Sequence, residues 1–190
     1  MVQAQPYLKT FEDFLAYTEA ADAYYELTNG DLIEMPPESY ENIRRALNLY
    51  EIFKVLIDAQ QICPQGLALA MPGQPKNRYP GLTVLRPEHP EQMQVLGQAA
   101  ITLDMEPPLL VVEVVSPGPE NRRRDYVDKR NQYEWRGVPE YWILDPVVEQ
   151  VTVLVLTEDG YAETVFSGEE MVKSPTFVSW SLTAAAMLAT

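Results

Sequence analysis

Residues 109–117 read LLVVEVVSP: four aliphatic residues, a glutamate, two valines and then a Ser-Pro turn. A run so nearly continuous in aliphatic side chains suits a strand covered on both faces, which places it at the centre of a sheet with other elements packed above and below. The carboxylate in its middle is the constraint. An ionised group in such a strand costs several kcal/mol unless it is paired, coordinates a metal or lies at an open strand end. Any fold for this chain must therefore bring a partner to Glu113.

The rest of the sequence supplies the elements for that fold. Thr10 followed by Asp13 reads as a capping box opening a short helix, FEDFLAYTEA. In YYELTNGDLIEM two β-prone runs flank Asn29-Gly30, the signature of a two-residue type I′ hairpin, and Pro36 and Pro37 end its second strand. From Ser39 the periodicity changes to 3.6, with Ile43, Leu47, Tyr50, Phe53, Leu56 and Ile57 expected on the buried face of a long amphipathic helix. Strand-like runs follow at LALAM, LTVLR, LLVVEVV, EYWILD, VTVLVLT and YAETVF. Between LLVVEVV and EYWILD lies a helix around RDYVDKRNQYEWRG, closed by Gly137 and Pro139. A strand, helix, strand order of that length makes a parallel crossover, so the Glu113 strand is central. SLTAAAMLA reads as a closing helix. The expected class is α/β (α+β): a mixed central sheet flanked by helices, with an N-terminal β-hairpin and one parallel β-α-β crossover.

Length and charge narrow the function. With 190 residues, no internal repeat and sixteen prolines spread as punctuation, the chain reads as a single domain over residues 1–190. One cysteine, Cys63, and an N-terminus without the basic start and apolar core of a signal peptide point to the reducing cytoplasm. No apolar run approaches the roughly 20 residues that span a bilayer. The net charge of -14 repels polyanions, which disfavours strong nonspecific DNA binding. The local exception is NRRRD, where Arg122, Arg123 and Arg124 form either a solvated run or a phosphate contact.

A partner for Glu113 is available in the following helix. Asp125, Lys129 and Tyr133 recur every four residues and share a face, and a crossover helix packs back on the strand it leaves. A carboxylate beside an ammonium is a minimal apparatus for metal-assisted attack of water on a phosphodiester.

The ordered blocks YYELTNGDLIEMPP, NRYPGLTVLR, PPLLVVEVVSPG, RDYVDKRNQY and GVPEYWILDP closely resemble the Uma-type family of putative restriction endonucleases, within the PD-(D/E)xK nuclease-fold superfamily. The resemblance covers residues 24–146 and implies a restriction-endonuclease-like fold, DNA as substrate and Mg²⁺ or Mn²⁺ as cofactor. It matches Glu113 to the acidic residue of the (D/E)xK strand and the Val114 carbonyl to a metal ligand. Val115 stands at the motif's lysine, whose charge is implied to come from Lys129. Glu26 matches an acidic residue near the metal, and Asp125 and Tyr133 match supporting positions. The departure is Gly81: where the family reads Pro-Asp this chain reads Pro80-Gly81, so one metal-binding carboxylate is missing. Mg²⁺ is held by few carboxylates, so weak or absent binding is expected. Glu88 and Glu91 lie beyond the strand and are poor substitutes.

Two functions follow from the same fold. One is an Mg²⁺-dependent DNA phosphodiester hydrolase impaired by Gly81, with Glu113, Lys129 and Glu26 catalytic and Arg78 or Arg122, Arg123 and Arg124 on phosphates. The other is an inactive binding or oligomerisation module, a homodimer. Of the remaining candidates, His89 in PEHPEQ is expected to be exposed in a polar loop, and Cys63 reads as a buried or inert thiol. Tyr141 and Trp142 are expected in the core or a dimer contact. Ser116 lacks the Gly-x-Ser-x-Gly turn of a serine hydrolase.

Overall fold

The computed structural model describes residues 7–19, 21, 23–179 and 181–189. Helix α1 (Phe11–Thr18) opens on Thr10, whose side chain accepts from the Asp13 amide at 3.0 Å while the Asp13 carboxylate accepts from the Thr10 amide at 3.1 Å. Strands β1 (Tyr25–Thr28) and β2 (Asp31–Glu34) pair antiparallel across Asn29 and Gly30, whose φ values of 52° and 91° are those a type I′ turn requires. This hairpin is a ribbon of its own and not an edge of the main sheet.

Helix α2 (Tyr40–Phe53) is capped by Ser39 and buries Asn42, Ala46, Leu49 and Phe53. The expected face was rotated from this one, and Leu47 is 37% exposed. The buried set keeps the helical spacing, but its first member is polar, so a count of apolar residues does not find it.

The chain continues through β3 (Ile62–Pro64), β4 (Ala68–Ala70), β5 (Asn77–Arg78), β6 (Leu82–Val84), α3 (His89–Leu96), β7 (Ala100–Ile101) and β8 (Leu110–Val114). After β8 come α4 (Pro119–Arg123), a π-helical stretch (Arg124–Lys129) and α5 (Arg130–Arg136). Then follow β9 (Glu140–Asp145), β10 (Gln150–Thr157), β11 (Gly160–Ser167) and α6 (Ala184–Leu188). The main sheet runs β11-β10-β9-β8-β6-β3, with β8 and β9 parallel at its middle and the other neighbours antiparallel. The LALAM strand instead joins a small sheet, β5-β4-β7.

Period-two alternation sorts β8 between two cores. Leu110, Val112 and Val114 pack with Phe53 of α2, Trp142 and Met187 of α6. Val111 and Val115 pack on the other face with Tyr133 of α5 and Tyr141. Glu113 alternates with Val112 and Val114 and so faces the α5 side. Tyr141 and Trp142 are fully buried in opposite cores. Among the described residues no helix is long and apolar enough to cross a membrane.

His89 is not exposed. It begins α3, fully buried, with Nδ1 accepting from the Arg86 amide at 3.2 Å and Nε2 lying 3.0 Å from the Glu106 carbonyl. Those partners fix the neutral ring with its proton on Nε2, and burial holds its pKa below the ordinary value. A depressed folded-state pKa gives stability that is present above the unfolded value of about 6.5 and is lost as pH falls through the folded value. Thermal unfolding of wild type and His89→Gln between pH 7.5 and 5 should show wild type losing the more stability on acidification; parallel curves would overturn this assignment.

Candidate active site

Glu113 finds its partners on the crossover helix. Lys129 Nζ lies 2.9 Å from Glu113 Oε1 and 3.0 Å from Asp125 Oδ1, and the Tyr133 hydroxyl donates to the same Glu113 oxygen at 2.7 Å. Arg124 Nε donates to Asp125 Oδ1 at 3.3 Å. Glu113, Asp125, Lys129 and Tyr133 are all buried. Two carboxylates face two cations, and the cluster is formally neutral.

The helix geometry explains how three residues spaced by four converge. On an α-helix such a spacing overshoots one 3.6-residue turn by about 40° each time. The π-helical stretch between α4 and α5 has a wider turn and takes that rotation back between Asp125 and Lys129.

Burial pushes the Glu113 carboxyl above its ordinary pKa, against the pull of Lys129. Burial also opposes the Lys129 ammonium, but the Glu113 and Asp125 carboxylates outweigh it and raise its pKa. The Tyr133 hydroxyl is held well above its ordinary value by burial and then by Glu113, which keeps it a donor.

A cleft of about 710 Å³ opens onto this cluster, with Gly81, Glu113 and Lys129 among its lining residues. A Cβ built on Gly81 would stand 3.9 Å from Glu113 Oε2, so a side chain at this position would meet the free face of the carboxylate. Asn42 does not itself line the cleft but bridges three residues that do: its Nδ2 lies 2.9 Å from Glu38 Oε1, 3.1 Å from Ser116 Oγ and 3.3 Å from the Val114 carbonyl. Sequence reasoning missed Asn42 and Glu38; the available signal was a polar residue leading the stripe Ala46, Leu49, Phe53.

The basic and acidic candidates separate. Arg78 is buried, with both Glu26 oxygens within 3.0 Å of Nη1 and Nε donating to Gln132 at 2.7 Å. That gives Arg78 a structural partner in place of a phosphate, and neither Glu26 nor Arg78 lines the cleft. Arg122 pairs with Asp145 and stacks on Tyr126 at 4.3 Å, while Arg123 extends toward Asp128 at 3.8 Å. Of these arginines, Arg124 alone lines the cleft.

The divalent cation implied by the sequence meets an incomplete donor set. Glu113 Oε1 is taken by Lys129 and Tyr133, and the Val114 carbonyl accepts from Asn42. Asp125 Oδ2 is buried without a hydrogen bond, but Asp125 does not line the cleft. Among the described residues no three His, Cys, Asp or Glu side chains converge. The residues present do not fit a hard cation that needs oxygen ligands on several sides.

Residues 11–185 match the family described as Uma2, putative restriction endonuclease. A crystal structure of a putative nuclease belonging to DUF820 from Anabaena variabilis aligns with a TM-score of 0.63 at 16% identity, covering 95% of this chain and 98% of that one. No curated protein matches. At that identity the structural likeness speaks for a shared fold.

Proposed function

The chain belongs to the Uma2 family of putative restriction endonucleases, and from that membership we propose a cytoplasmic, restriction-endonuclease-like DNA phosphodiester hydrolase whose metal-dependent activity is impaired by Gly81. The observation that carries this reading is the Glu113–Lys129 contact of 2.9 Å on the floor of the cleft. Lys129, held by Glu113 and Asp125, offers a buried positive charge against the negative charge that develops on phosphoryl oxygens, while Tyr133 holds the Glu113 carboxylate. Glu113 Oε2, facing Gly81, is the acceptor available to orient water.

A second reading has its own support. The cluster is neutral and closed without any added ion, as expected of a binding or oligomerisation module, including a homodimer, that keeps a nuclease core for its stability. Wild type and Glu113→Ala assayed on single- and double-stranded DNA with Mg²⁺ or Mn²⁺ separate the two. Slow cleavage that Glu113→Ala abolishes supports the hydrolase; absence of cleavage by wild type at millimolar Mn²⁺ moves the conclusion to the binding module.

A further inference from the structure

The cleft has a wall that the Glu113 cluster does not use. Tyr24 and Tyr79 pack with ring centroids 4.8 Å apart and planes tilted by 48°, and both line the cleft. Tyr24 is 54% exposed, whereas burial and then the neighbouring Tyr24 push the Tyr79 hydroxyl up to about 12. Tyr79 is thus the more buried ring of the pair and Tyr24 the more exposed. Tyr79 is two residues from Gly81, which places its backbone within about 7 Å of the floor of the site. Gly66 leaves room for the far end of Tyr24: a Cβ there would stand 3.1 Å from the Tyr24 hydroxyl.

We propose that the Tyr24–Tyr79 pair is a stacking platform for a nucleobase, and that the cleft receives an unpaired nucleotide of a single strand and not a duplex. This rests on the nucleic-acid reading above and names its substrate class.

Charge supports the choice. Tight duplex binding draws on many phosphate contacts, about 6–10 in strongly salt-dependent cases. Here the net charge is -14, Lys129 is spent on two carboxylates, and Arg124 is the partly exposed cation of the cleft. Single strands are held with fewer charges because each base adds stacking on an aromatic face. The cleft carboxylates Glu34 and Glu38 repel phosphate but accept from exocyclic amino groups, so the base belongs on their wall and the backbone beside Arg124.

Fluorescence anisotropy with a labelled mixed-sequence 12-mer, single-stranded or in duplex, tests this in EDTA, where metal-dependent hydrolysis plays no part. The single strand should bind at least tenfold more tightly than the duplex. Tyr24→Ala should weaken it about tenfold or more, and Tyr24→Phe should restore it. Arg124→Ala should lower the salt slope by about 0.7. Equal affinity for the duplex, an unaffected Tyr24→Ala variant, or no binding of either form overturns the proposal. Intact binding in EDTA, together with no cleavage in the separate assay with Mg²⁺ or Mn²⁺, would sink the hydrolase reading alone.

Discussion

Lys129→Met should lower the unfolding free energy by about 3–5 kcal/mol at pH 8, a large share of the roughly 5–15 kcal/mol that holds a domain together. Removing the ammonium strands two buried carboxylates, since Glu113 keeps only the Tyr133 hydroxyl and Asp125 only Arg124. The methionine fills much the same space, so the loss is electrostatic and not a cavity. It should also depend on pH. Burial already raises the Glu113 pKa, and without Lys129 that rise is larger. An acid whose folded-state pKa is raised contributes stability that is present below its unfolded value and lost as pH rises through the folded one. The deficit should therefore shrink toward pH 5. Adding Glu113→Gln to Lys129→Met should recover part of the loss, because the pair couples through direct contact. Urea unfolding at pH 5 and pH 8 measures all of this; a Lys129→Met variant within 1 kcal/mol of wild type at pH 8 would show that the ion pair contributes little.

That cluster was legible in the sequence because its logic is local. A carboxylate in a strand covered on both faces requires a partner, and the following helix offers Lys129 and Tyr133 at helical spacing. The hairpin was legible for the same reason, since Asn29-Gly30 states its own turn type. What escaped was set by distant contacts. Asn42 is buried because Val114 and Ser116, more than seventy residues away, bring oxygens to it. His89 is buried because Glu106 closes over it from another loop. Arg78 reads as a phosphate ligand until Glu26 arrives across fifty-two residues. The π-helical stretch has no composition signal; it follows from seating Asp125, Lys129 and Tyr133 against one strand.

Gly81→Asp should convert the protein from one that binds divalent cations weakly at best into one that binds them well. Gly81 has no positive φ, and the Cβ that aspartate adds would stand 3.2 Å from the Val112 carbonyl, a contact relieved by a shift of a few tenths of an ångström. The new carboxylate would reach the Glu113 Oε2 side, giving three acidic groups against Lys129 and Arg124. Without metal the added charge has no partner, so the variant should melt below wild type. With Mg²⁺ or Mn²⁺ at 100 times its dissociation constant, linkage returns about 2.7 kcal/mol, equivalent to about 5–10 °C for a chain of this size. Wild type should shift by much less under the same conditions, because its cleft offers a cation Glu113 and no second acid at position 81. Cleavage of DNA should rise above the wild-type rate in step with cation binding by the variant and vanish when Glu113→Ala is added. A Gly81→Asp protein whose melting temperature ignores both cations would mean that the missing carboxylate is not what separates this site from a working one, and that the closed Glu113–Lys129 pair itself keeps the metal out.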